Sequence, residues 1–160
     1  MRQITYTMQF KGEVRPVGTS PNVMKVTTVA LSCICITVVG PHGVQATIEQ
    51  AAGEQATFES EVTFLGGFES SDATSSGEGG FKETGMITFG EGEHRLRFST
   101  IGQGYIGPSA EPNLKQGAVM WQVEGGEGQF KGAQGLITSN FTISAAGEVT
   151  DHHMGVIFAT

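Results

Sequence analysis

Few side chains in this chain can do chemistry, and most of them sit in extended-looking segments. Asp151 and His153 stand two residues apart in VTDHHMGVIFAT, so on a strand they share a face. An aspartate beside a histidine can orient a general base. Their spacing, about 7 Å along a strand, leaves a plainer reading open: a polar outer stripe or an oligomer contact. His152 faces away from His153, so the two cannot grip one metal within the strand. His94 shares a face with Leu96 and Phe98. It reads as a proton shuttle or ligand anchor, or as a strand-end histidine at a barrel mouth. Glu59 and Glu61 alternate with Phe58, Ser60 and Val62. Paired carboxylates suit glycoside hydrolysis only when they face each other across a cavity, and a solvated face is the plainer reading. The catalytic candidates are therefore His94, Glu61, Asp151 and His153. Tyr6, Phe98, Tyr105 and Trp121 are the candidate ligand-binding residues, since such rings suit a pocket wall as well as a core.

The elements that must position them are strands. Alternation dominates: Ile4, Tyr6, Met8, Phe10 and Val14 fall on one face, Thr5, Thr7, Gln9, Lys11 and Glu13 on the other. Residues 22–39 are rich in β-branched side chains and read as one long or broken strand, with a short one at 44–49. Residues 56–65 alternate again. FKETGMITF and HRLRFSTI are joined by Gly90-Glu91-Gly92-Glu93, a hairpin turn. GAVMWQVE, LITSNFTIS and VTDHHMGVIFAT complete the set. Residues 70–80 and 102–117 read as loops. No segment shows a helical stripe. Eight or nine strands at hairpin spacing predict one all-β domain over residues 1–160, an antiparallel barrel or sandwich, and closure as a barrel removes exposed edges.

Composition narrows the function classes. With 38% apolar and 16% charged residues the chain is neither disordered nor, lacking a long apolar run, a helical membrane span. A net charge of −7 with no basic cluster disfavours a nucleic-acid partner. The start MRQITYTMQF lacks a signal-peptide run, and Cys33 and Cys35, two apart on one strand, read as reduced buried thiols, so a cytoplasmic protein is expected. No CxxC or His/Cys cluster points to a metal.

The stretch GGEGQFKGAQG, Gly125 to Gly135, is the densest local signal. Lys131 is followed by Gly-Ala and a strand, which is no phosphate loop, and no βαβ unit surrounds Gly126-x-Gly128. The glycines read instead as a sharp corner with closely approaching backbones, and Phe130 as a plug at the barrel end.

That pattern, Gly125, Gly126, Gly128, Phe130, Gly132, Ala133 and Gly135, resembles the signature of the allene oxide cyclase barrel superfamily, and dirigent proteins carry a similar one. In those families it lies between two late strands and before a hairpin to the last strand. The likeness covers roughly the last 45 residues, with strand pattern alone before that. It implies an eight-stranded antiparallel closed barrel with an apolar cavity and a homo-oligomer, trimer or dimer. It also implies work without a cofactor: holding a small hydrophobic, reactive molecule in a product-like shape, as an isomerase or cyclase does. A non-catalytic ligand binder and a solidly packed structural barrel are the alternatives. Glu13, Asn22 and the cysteines fall near the family's functional positions without a flanking motif to align them. Oligomerisation also has a physical motive. Were the apolar stripes at 58–64 and 119–123 too large for one interior, an outer face would need a partner.

Overall fold

The computed structural model describes residues 2–30, 34–40, 43–49, 56–66 and 78–160, with backbone alone for 34–40 and 43–49. The strands are β1 (Arg2–Pro16), β2 (Val23–Ala30), β3 (Ile34–Gly40), β4 (Gly43–Glu49), β5 (Ala56–Phe64), β6 (Gly79–Phe89), β7 (His94–Thr100), β8 (Gly104–Pro108), β9 (Leu114–Glu127), β10 (Gln134–Ser144) and β11 (Glu148–Ala159). One sheet runs β1-β2-β5-β6-β7-β9-β10-β11 and returns to β1, so every lane has two neighbours and the sheet is a closed antiparallel barrel. β8 continues the lane of β7 between β6 and β9, which makes nine strands in eight lanes. β3 and β4 form a separate hairpin inserted between β2 and β5.

Residues 22–39, read as one long or broken strand, carry β2 and β3, which lie in different sheets. One expectation needs correction. Residues 102–117 are not one loop: Gly104–Pro108 pairs with β6 and β9, and β9 already starts at Leu114. The lane vacated where β7 ends must be filled for the barrel to stay closed, and backbone pairing fills it despite a Gly/Pro-rich sequence. The expected buried cysteine thiols fall outside the residues whose side chains are described.

Alternation fixes the interior. Tyr6, Met8 and Phe10 of β1, Phe58 and Val62 of β5, Leu96 and Phe98 of β7, and Val119, Trp121 and Val123 of β9 all point inward and are buried. The inward residues of the stripes at 58–64 and 119–123 thus fit inside, while Met120, between Val119 and Trp121, faces out. The exposed large apolar residues include Tyr105, Met120, Leu136, Met154 and Phe158. Bulky inward rings are accommodated by inward glycines: the Tyr6 ring lies where a Cβ on its cross-strand partner Gly155 would come within 2.2 Å.

The glycine stretch closes one end. Gly125 has φ +97 and sits where the β7–β9 register slips between Leu96 and Phe98, a β-bulge. At Gly126 a Cβ would meet the Arg95 carbonyl oxygen at 2.0 Å, so two backbones touch there. A single 3-10 turn, Gly128–Phe130, follows and buries Phe130 against Phe89, ring centroids 5.2 Å apart. This turn is the departure from a helix-free reading. Because the obstacle at Gly126 is backbone, it cannot yield cheaply. Gly126→Ala is expected to lose about 1–3 kcal/mol of stability in urea unfolding, with the m-value retained.

Candidate functional site

Turns β1–β2 and β10–β11, the β8–β9 connection, the end of β5 at Phe64 and the start of β6 at Gly79 gather at the end opposite the glycine motif. Here the barrel is hollow. Among the described residues the cavity is lined by Val14, Met24, Val26, Phe58, Val62, Phe64, Phe81, Glu83, Ile106, Phe141, Ile143, Val149 and Asp151. The cavity volume is ≈ 50 Å³. A slender or small occupant fits; a drug-sized one would have to displace side chains.

Beneath the cavity the barrel is solid. Phe58 stacks on Phe98 with centroids 5.3 Å apart and planes 12° from parallel, and Trp121 packs on Phe98 at 4.5 Å. His153 joins this belt, 4.3 Å from Phe10 and edge-on to Phe58 and Trp121. Two polar chains cross between belt and cavity. In the first, Ser139 Oγ donates to Asp151 Oδ1 at 2.7 Å, and His153 Nε2 lies 2.8 Å from Asp151 Oδ2. The acceptor-only carboxylate sets Nε2 as the nitrogen that carries the hydrogen. In the second, Glu83 Oε1 meets the Ser60 hydroxyl in a short hydrogen bond, and Trp121 Nε1–H donates to Oε2 at 3.2 Å. Thr100 Oγ1 clamps the Glu83 backbone, accepting from its N–H at 2.8 Å and donating to its carbonyl at 2.9 Å.

Burial pushes the Glu83 carboxyl up to about 8, and the negative charge of Asp151 adds to the rise against the lowering hydrogen bonds from Ser60 and Trp121. Glu83 is thus a neutral acid at neutral pH, able to donate. Burial likewise pushes the Tyr6 phenol up, with Asp151 adding to it. The Tyr6 hydroxyl, Thr28 Oγ1 and His153 Nδ1 are buried without a hydrogen-bond partner.

The structure brings together Asp151 and His153, both inside, so the outer-stripe reading of that pair is overturned. The spacing along the strand does not prevent contact because both side chains bend into one interior. Tyr6, Phe98 and Trp121 lie in the core. Glu61 stands on the outer face, in register with Lys25, and cannot reach the cavity. Tyr105 is 60% exposed on the outside of β8, where it borders a shallow groove with Asn140 and His152. It belongs to no interior pocket. His94 sits half-buried at the glycine end, its Nδ1 accepting from the Gln129 N–H at 3.4 Å, remote from the cavity. Glu83 was missed. Its signal was the inward register of Phe81, Glu83, Gly85 and Ile87, a carboxylate in an apolar row.

Among the described residues no group of three or more His, Cys, Asp or Glu could hold a metal ion, and no helix is long and apolar enough to cross a membrane. No protein family and no curated protein matches the chain. Among solved structures it is similar to that of a pterocarpan synthase dirigent protein, with 16% identity over 99% of this chain and 92% of that one and a TM-score of 0.46.

The Glu83 proton makes stability depend on pH. Its ordinary value is 4.5 and its folded value about 8. Below the lower value both states hold the proton and full stability is present. As pH rises through the window, only the unfolded chain releases it, so stability falls by about 1.4 kcal/mol per pH unit. Glu83→Gln is expected to flatten that decline in denaturant melts taken between pH 5 and 9. Trp121 is the single tryptophan, so its emission should titrate near the same value in the native protein and not in the variant.

Proposed function

We propose that this chain is an allene oxide cyclase-like or dirigent-like barrel whose open end binds a small hydrophobic molecule and performs acid–base isomerisation or cyclisation on it. The observation that carries this reading is the pair of carboxyl groups, Glu83 and Asp151, at the floor of an otherwise apolar cavity. The glycine motif supports it by lying between β9 and β10, before the β10–β11 hairpin, where the resemblance places it.

The chemistry follows from the two environments. The neutral Glu83 acid can donate a proton to a ligand oxygen, held in place by Ser60 and Trp121. Asp151, fixed by Ser139 and His153, can offset positive charge that develops on the ligand or accept a proton from it. The aromatic belt and the apolar walls keep water from a reactive intermediate. A purely ligand-binding barrel would keep the cavity and lose the need for Glu83.

We also propose a homo-oligomer. The outward positions of residues 116–122, 134–142, 150–158 and 3–9 carry no Asp, Glu, Lys or Arg, while Met120, Leu136, Met154 and Phe158 are exposed among them. Elsewhere the wall is charged, with Lys25 paired to Glu59 and Arg95 to Glu127. Light scattering behind size exclusion should give a multiple of the 16.8 kDa chain mass, and Leu136→Glu with Met154→Glu should give the monomer.

The function is tested in two steps. Benzyl alcohol should bind in a calorimetric titration; Val62→Phe, which fills the cavity, should weaken it about tenfold, and the outer Glu61→Gln should not. Native mass spectrometry of protein from its own host then identifies a retained molecule. Turnover of that molecule by the native chain, lost in Glu83→Gln and Asp151→Asn with binding kept, establishes catalysis. Unchanged molecule in every case establishes the non-catalytic reading.

A further inference from the structure

We infer that the occupant of the open-end cavity is a small organic ammonium ion, its charged head between Glu83 and Asp151 and its apolar body against Phe58, Phe81 and Phe141. This rests on the small-molecule reading above and names the class of molecule.

The lining carries two carboxyl groups, from β6 and β11, and no Lys, Arg or His among the described residues. Lys115, near the rim, is paired with Glu78 at 3.8 Å. Apart from the Glu83 proton, which a bound cation displaces, the remaining polar capacity of the cavity floor is acceptor capacity. A carboxylate offers about four lone-pair sites, while Glu83 and Asp151 each meet two partners. An N–H donor entering the cavity would find the free lone pairs of these carboxyl groups, whereas an anion would meet the negative charge of Asp151. The walls reinforce the choice, since aromatic faces attract a cation, most strongly where water is excluded.

Charge linkage makes the inference testable. A cation beside Glu83 favours its ionised form, so binding releases a proton and tightens as pH rises. The other titratable groups facing Glu83 are Asp151 and, on the same interior, His153 and Tyr6; the Glu83→Gln variant separates its contribution from theirs.

The probes are benzylammonium, benzyl alcohol and benzoate, one shape with three charges, titrated against the native full chain at pH 6.0 and 8.5 in 0.5 M NaCl, where attraction to the acidic surface is screened. The readout is Trp121 emission, checked by calorimetry. Benzylammonium is expected to bind at least about tenfold tighter than benzyl alcohol at pH 8.5, with benzoate not binding. Its affinity should weaken toward pH 6.0. Glu83→Gln should abolish that pH dependence, Asp151→Asn should erase the preference over the alcohol, and the outer Glu61→Gln should change neither. Should Asp151→Asn fail to fold by near-ultraviolet circular dichroism, the Glu83→Gln pH profile carries the test. Benzyl alcohol binding as tightly as benzylammonium, or a preference that survives both interior variants, overturns the cation and leaves the small-molecule barrel standing. If no member of this series binds, both readings fall.

Discussion

The seam between the first and last strands, running from Arg2 against Ala159 to Glu13 against Glu148, is the constraint on which the rest depends. It closes the barrel, and it fixes which face of β11 is inside. Side chains alternate with a period of two, so a slip of one residue along this seam would turn Asp151 and His153 out to solvent and bring His152 and Met154 in. Phe10 opposite Asp151, Met8 opposite His153 and Tyr6 opposite Gly155 hold the register. The last of these is the tightest lock, because only a glycine leaves room for the Tyr6 ring.

Closure creates an interior that two kinds of residue must share. At the glycine end and in the middle, rings from Phe130, Phe89, Phe58, Phe98 and Trp121 fill the space. Toward the open end the core admits Ser60, Glu83, Ser139 and Asp151. Buried carboxyl groups are costly unless partnered or neutral. The barrel uses both remedies: Asp151 is bracketed by Ser139 and His153, and Glu83 holds its proton. The cost that remains argues for a role. A row of Val or Leu at these positions would pack a more stable barrel with no chemistry in it.

Much of the fold was legible because burial imposes a period that the chain writes down directly. Tyr6, Met8 and Phe10, or Phe58, Ser60 and Val62, declare an inward face, and Gly90 to Glu93 declares a hairpin. The glycine motif was legible for another reason: a bulge, a backbone contact and a 3-10 turn in succession tolerate almost nothing else. β8 was not legible, since Gly104 to Pro108 has a loop's composition and pairs only because the lane between β6 and β9 is open to it. Tyr105 then points outward by the parity of that unforeseen strand.

The candidate site divides in the same way. Sequence by itself determined that Asp151 and His153 share a face and that Phe130 closes a glycine corner. These are consequences of alternation and of local backbone geometry. It could not determine which face of β11 is inside. Val149, Gly155 and Ile157 on one side and Met154, Val156 and Phe158 on the other are about equally apolar. Only pairing with β1, at the far end of the chain, broke that tie. Nor could it bring Ser60, Glu83, Trp121, Ser139 and Asp151 to one cavity floor, because they come from five strands and meet only when the sheet closes on itself.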